Sequence, residues 1–391
     1  MNGKAISWVA NKPIDLQIVL DLTNQCAETH TFTNYGPITQ QLEQHITELL
    51  KIQKDKKCVI AVANATVALW ALVDSVRIFT GLEENMKVIT QAFTFPSCCQ
   101  GRLSDTIIVD INDMSDSKHF GVGPSFRQIQ EALPFDLLII TNIFGHIVDI
   151  DMYEKWCQEH NVILIQDNAA TPYTSYKGLN VNNYGTGSIV SFHHTKPIGF
   201  GEGGCVIVDK ELESIVRKLI NFGYDKKDPN CQWHKYGSNY KISEIASIYI
   251  LQHNTYTNFN AIVEKHNRLY RRVKEKCENL QNDCIRMFPN MMNSTGASAI
   301  DVSFYLPACF PLIFSTEEIA NGVRDVLLQN GIFCKKYYKP LDMSKNNSVI
   351  LYNRILCIPC NIDMIEPDID RIFSLIELVI QSSGEIVNHS S

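Results

Sequence analysis

Between Cys58 and Val208 the chain repeats one alternation, in which short apolar runs of strand character are separated by stretches of helical spacing. Strands are expected at Cys58 to Val62, Met86 to Thr90, Thr106 to Ile111, Leu137 to Asn142 and Val162 to Gln166. Helices are expected over Val67 to Leu72, about Ser125 to Leu133 and about Met152 to His160. Runs such as Val162-Ile163-Leu164-Ile165 are apolar at every position, as in strands covered on both faces. Parallel neighbours need a crossover of the length such helices provide. The chain is therefore expected to be α/β, with a mostly parallel sheet between helical layers. Ligands of such sheets collect outside the carboxyl ends of the strands, so the residues that end each run are the first candidates for chemistry.

Asp167 directly follows the run at 162–166. A carboxylate there is costly unless a cation or hydrogen-bond donor meets it. The stretch Gly187 to Gly204, GSIVSFHHTKPIGFGEGG, reads as a strand through Phe192, a loop carrying Lys196, a glycine turn and a return strand Cys205 to Val208. Pro197 pushes Lys196 toward an extended backbone. A lysine held on such a support, and desolvated enough to lose its proton, is what imine chemistry with a carbonyl compound requires. Asn64-Ala65-Thr66 lies between a strand and a helix, where free backbone N–H groups and the helix dipole favour a phosphate.

Ser191-Phe192-His193-His194-Thr195-Lys196, followed by Gly201-Glu202-Gly203-Gly204, resembles the lysine segment of the DegT/DnrJ/EryC1/StrS family of pyridoxal-phosphate-dependent sugar aminotransferases. Further similar segments follow the family's order: Thr33-Asn34-Tyr35-Gly36-Pro37, Ala65-Thr66, Thr94-Phe95, Asp167 to Gly178, and Gly237-Ser238-Asn239-Tyr240. The resemblance implies the type I aspartate aminotransferase fold. Residues 1–250 would form a large cofactor-binding domain with a mostly parallel seven-stranded sheet, and 251–391 a smaller α+β domain.

It also implies roles. Lys196 would hold pyridoxal 5'-phosphate as an imine and shuttle protons, and Asp167 would pair with the pyridine nitrogen. Phe95 would stack on the ring, and the turn at 33–37 would border the site. Ala65, Thr66 and Ser191 would hold the phosphate, with Asn239 reaching the phosphate of a neighbouring subunit in a homodimer with shared sites. Two departures are visible: Ala170 stands where many members carry Gln or His against the ring hydroxyl, and Lys241 stands in an arginine place. Members that act as dehydratases replace the lysine with histidine, so Lys196 favours amino transfer.

The implied reaction converts a nucleotide-linked 4-keto-6-deoxyhexose, on UDP or dTDP, to the 4-amino sugar with L-glutamate as donor and 2-oxoglutarate as product. A 3-keto sugar or cyclitol aminotransferase, a sugar dehydratase and a cofactor-binding regulator are the alternatives.

A net charge of -7 with no basic stripe argues against a nucleic-acid partner. No apolar stretch approaches the ~20 residues that span a bilayer, and the first residues lack a secretory pattern. Thirteen cysteines, an odd number scattered through apolar runs, suit reduced thiols in the cytoplasm. Cys357-Ile358-Pro359-Cys360 has no second pair at ligand spacing, so packing is expected there and no metal site.

The remaining expectations are an opening segment with one short helix, a helix from about Ile38 to Lys51, and one from about Lys210 to Asn221 closed by Gly223. An irregular stretch from Tyr224 to Trp233 precedes one long helix from Ser243 to about Lys276. Strands at Ala299 to Tyr305, Gly331 to Cys334 and Leu356 to Pro359, with helices at about Thr316 to Asn330 and Glu366 to Gln381, complete the smaller domain.

Overall fold

The computed structural model describes residues 4–114, 120–225, 232–280, 284–288, 300–301 and 306–383. Helix α1 (Leu16–Glu28) starts where the Asp15 carboxylate accepts from the N–H groups of Gln17 and Ile18, and α2 (Pro37–Leu49) starts on a proline. The alternation then appears as β1 (Lys57–Val62), α3 (Ala65–Thr80), β2 (Val88–Gln91), β3 (Ile107–Val109), α4 (Phe126–Glu131), β4 (Leu137–Thr141), α5 (Ile150–Glu159) and β5 (Ile163–Asp167). A ribbon of β6 (Ser175–Tyr176) and β7 (Leu179–Asn180) precedes β8 (Gly187–Ser191), β9 (Gly204–Asp209) and α6 (Lys210–Leu219), with Gly223 at φ +77° beyond it.

The seven-stranded sheet has the order β1-β9-β8-β5-β4-β2-β3. Every pairing from β8 to β3 is parallel, and β9 runs antiparallel to both of its neighbours. Its alternation shows how both faces are buried: Val206 and Val208 pack with Leu72, Val76 and Val216 of α3 and α6, while Cys205 and Ile207 pack with Leu42 and Ile46 of α2. Each fully buried leucine of this kind contributes roughly 2 kcal/mol.

The expected long helix after Ser243 is two helices, α7 (Glu244–Tyr256) and α8 (Phe259–Asn279). Thr257 is extended (φ -84°, ψ 123°), and the Asn258 side chain accepts from the Ala261 N–H to start α8. An asparagine able to cap interrupts an otherwise helical spacing here.

Beyond α8 lie β10 (Ile285–Met287), β11 (Ile300–Asp301), β12 (Cys309–Phe314), α9 (Glu317–Gln329), α10 (Asn346–Arg354), β13 (Ile355–Pro359) and α11 (Glu366–Ser382). β10, β12 and β13 form an antiparallel sheet, and β11 joins β6 and β7. Gly331 to Cys334 is not a strand: Ile332 makes one bridge to Ile6, and Lys335 another to Cys357. Of the strand expected at Ala299 to Tyr305, residues 299 and 302–305 lie outside the described residues, as do 226–231 of the stretch expected to be irregular. Cys357 and Cys360 are free and buried. Among the described residues no helix is long and apolar enough to cross a membrane.

Candidate active site

The strand ends converge on a cavity of about 710 Å³. Val62, Gly204 and Ser191 stand side by side across β1, β9 and β8. A Cβ on Gly204 would lie 2.7 Å from the Ala65 nitrogen, so the glycine lets the start of α3 settle against the sheet. Asn64 caps α3 by accepting from Val67 N–H at 3.1 Å, and the first-turn N–H groups of Ala65 and Thr66 have no partner within the helix. Ala65, Thr66 and Ser191 all line the cavity.

Asp167 ends β5 opposite Thr141 of β4 and Ile189 of β8. It is 1% exposed, yet it lines the same cavity. One carboxylate oxygen accepts from Ala169 N–H at 3.0 Å, and the other meets only the Cys98 thiol at 3.6 Å. Burial pushes its pKa up, only partly opposed by those donors and by Lys196. A carboxylate so thinly compensated suits a cationic partner in the cavity.

Lys196 follows β8 in the loop closed by β9. Its amide donates to the His193 carbonyl at 2.8 Å, and its own carbonyl accepts from Gly199 N–H at 3.0 Å. Gly199 is required, because a Cβ there would fall 2.1 Å from the His193 carbonyl oxygen. The surrounding protein desolvates the Lys196 amine and lowers its pKa, with the charges of Asp167 and Cys309 opposing. Such a group reaches its neutral, nucleophilic form more readily than a free lysine.

Phe95 lies on the rim, 53% exposed, at the start of a short 3₁₀ turn. The following segment is pinned by Arg102, which donates to the buried Asp74 of α3 at 2.8 Å. Ala169 and Ala170 line the cavity and offer no side-chain donor.

Asn239 is exposed and is not on this cavity wall. It pairs with Asn221 beside the segment where Tyr240 accepts from Ala63 N–H. The turn at 33–37 is also elsewhere. Glu244 accepts from the N–H groups of Gly36 at 2.9 Å, Ile38 at 2.7 Å and Thr39 at 3.0 Å, while Asn34 and Tyr35 line a second cavity of about 550 Å³.

Sequence reasoning missed Trp8, Phe144, Lys335 and Tyr337 as parts of the wall, and it left Tyr338 without a role. Trp8 meets Tyr337 edge-on at 5.9 Å, and Phe144 stacks on Tyr338 at 5.8 Å. These residues come from regions far apart in the chain, so no local pattern marks them.

The architecture matches that of solved sugar aminotransferases. A crystal structure of DesI in the presence of its TDP-sugar product aligns with a TM-score of 0.79 at 20% identity, covering 98% of this chain and 94% of that one. A structure described as a pyridoxal-phosphate-dependent aminotransferase of Bacillus cereus shares the fold, with a TM-score of 0.76 at 21% identity over 96% of this chain and 100% of that one. The profile of the DegT/DnrJ/EryC1/StrS aminotransferase family matches residues 17–377, and the chain belongs to that family of pyridoxal-phosphate-dependent sugar aminotransferases.

Among relatives, dTDP-4-amino-4,6-dideoxy-D-glucose transaminase of Shigella dysenteriae is 26% identical over 365 residues, covering 88% of this chain and 91% of the relative. UDP-2-acetamido-2-deoxy-3-oxo-D-glucuronate aminotransferase of Pseudomonas aeruginosa is 25% identical over 197 residues. That match covers 49% of this chain and about half, 52%, of the relative. The cavity fits the cofactor's three demands: an amine for the aldehyde, an acid for the ring nitrogen and open N–H groups for the phosphate.

Proposed function

We propose that the chain moves the amino group of L-glutamate to a nucleotide-linked 4-keto-6-deoxyhexose on UDP or dTDP, releasing 2-oxoglutarate. The observation that carries this reading is Lys196, desolvated and sharing a cavity wall with buried Asp167. When bound, pyridoxal phosphate supplies an electron sink at the amino-bearing carbon. Lys196 would anchor it, and the Lys196 amine, once free, would take a proton from the donor's α-carbon and return one on the sugar half-reaction. Asp167 would keep the ring nitrogen protonated, and Phe95 would cover one ring face. The N–H groups of Ala65 and Thr66, with the Thr66 and Ser191 hydroxyls, would hold the phosphate.

The relative matched along most of its length carries a 4-amino-4,6-dideoxy sugar in its name, whereas the one named for a 3-oxo sugar is matched over half. A panel of UDP- and dTDP-linked 3-keto and 4-keto sugars incubated with glutamate tests the reading, with the product's amine position assigned by mass and NMR. Amination of only 3-keto sugars, or loss of water in place of amination, would overturn it.

Gly204→Ala should loosen the phosphate turn. We expect at least a tenfold weaker cofactor affinity by fluorescence titration, with about 1–3 kcal/mol lost from the urea unfolding free energy.

A second copy would complete the site. Tyr35, Phe222 and Trp233 are 43%, 43% and 70% exposed, and Trp233 packs on Phe222 near Lys241. We expect a dimer by sedimentation. We also expect Asn239→Ala to remain dimeric while losing about tenfold in cofactor affinity; unchanged affinity would remove Asn239 from the site. Buried, free cysteines suit the cytoplasm.

A further inference from the structure

The turn that carries Lys196 is held almost entirely by its carbonyl oxygens. Residues 196–199 present four of them, and every one accepts from a side chain. The Lys12 ammonium donates to the Lys196 carbonyl at 2.7 Å and also to the Gly199 carbonyl. The His253 imidazole meets the Pro197 carbonyl at 3.0 Å, and the Asn254 amide donates to the Ile198 carbonyl at 2.9 Å. His253 and Asn254 are neighbours on α7 and are 5% and 2% exposed. Lys12 lines one cavity with His253 and Pro197, and it comes from the N-terminal segment, which is otherwise tied to the C-terminal region. There Asn361 donates to the Ser7 carbonyl at 2.8 Å, and Asn11 N–H donates to Asp363 at 2.7 Å.

We propose that Lys12, His253 and Asn254 form a clamp on these carbonyls that positions Lys196, with Lys12 as the member that joins the N-terminal segment to the lysine turn. Three observations carry it. First, no carboxylate among the described residues forms an ion pair with Lys12, so its charge is met by the turn's carbonyls. Burial lowers its pKa to about 8. Second, Lys12 bridges the first and last carbonyls of the turn, the Lys196 and Gly199 ends that an internal hydrogen bond already draws together. Third, burial holds His253 neutral, with its pKa lowered to about 4, so one ring nitrogen can donate to Pro197 and the other can accept. The clamp touches backbone only. Its members are positioning residues, and they act on the aim of the Lys196 amine.

The inference rests on Lys196 being the reacting amine, and the test separates the two. Lys12→Met keeps the length and removes the donor; Lys12→Arg offers two donors in a fork. In Lys12→Met we expect backbone amides of residues 193–201 to exchange with deuterium at least tenfold faster by mass spectrometry, while amides of β1 and β9 are unchanged. We expect kcat to fall about 10- to 100-fold with KM for donor and acceptor within threefold, since a displacement of about 1 Å costs that much. Lys12→Arg should restore kcat and the exchange rate to within threefold.

Native exchange and kcat in Lys12→Met would overturn the clamp, and so would faster exchange spread over β1 and β9. Should Lys12→Met not fold, Lys12→Arg decides: native exchange and turnover support the proposal, and a slack turn or failure to fold overturns it. A slack turn in Lys12→Met together with full activity in Lys196→Ala would keep the clamp and discard the lysine's role.

Discussion

Lys196→Ala should lower amino transfer by about 10⁴-fold or more, because in the proposed mechanism one side chain is both the covalent anchor and the proton carrier. The measurement is the rate of 2-oxoglutarate release from glutamate in a coupled assay. Nucleotide-sugar binding, followed by calorimetry, should change by less than about fivefold. The fold should survive, since Lys196 lies on the wall of the cavity. Its backbone contacts, with His193, Gly199 and Lys12, remain available to alanine. Retention of even a hundredth of the activity would mean that another amine does the work.

Asp167→Asn has two opposite effects. It should lower kcat by about 10²- to 10³-fold, since in the proposed mechanism the ring nitrogen would lose its counter-charge. It also stabilises the cofactor-free protein, by about 1–3 kcal/mol at neutral pH, because a poorly compensated buried charge is removed. The sign follows from the direction of the shift. The folded pKa of Asp167 lies above its ordinary value of 3.8, so the folded state binds the proton more tightly than the unfolded chain does. The acid therefore opposes folding increasingly as the pH rises past its ordinary value, fully once the pH exceeds its folded pKa, and the penalty fades as the pH falls back toward the ordinary value. Urea titrations of the cofactor-free protein, taken from pH 7.5 down toward the ordinary carboxylate value of 3.8, should show the gain of Asp167→Asn shrinking as that value is approached. A loss of stability at pH 7.5 would show that the carboxylate is better satisfied than its two contacts imply.

The parallel sheet was legible because its strands are apolar at every position, and the ends of β5 and β8 placed Asp167 and Lys196 beside one another. The single antiparallel partner followed from the glycine turn before Cys205. The break at Thr257 and Asn258 was not legible, because the apolar spacing runs through it and only the local capping geometry ends α7. Nor could Gly331 to Cys334 be told from a strand: the run is apolar, but Ile332 finds a single residue, Ile6, to pair with. The far wall of the cavity was hidden for a related reason. Trp8 and Lys335 reach the cavity only through tertiary packing, and although Tyr337 to Leu341 is similar to the family's sequence, that likeness assigned the segment no place in the site. Asn239 and the turn at 33–37 do not line this cavity within one chain; for Asn239 the expected role was toward a neighbouring subunit.

The hairpin that bears Lys196 is pinned at Ser191 and Gly204, and inserting one residue into β9 would exchange its two packed faces. The walls facing it, from Trp8 and from Lys335 to Tyr338, are held by single bridges instead, Ile6 to Ile332 and Lys335 to Cys357. The N-terminal segment that brings Trp8 to the cavity also brings Lys12 to the carbonyls of the Lys196 turn, so wall and lysine share one stretch of polypeptide. A chimera that took its first dozen residues from a relative would therefore exchange the support of the lysine turn together with part of the cavity wall.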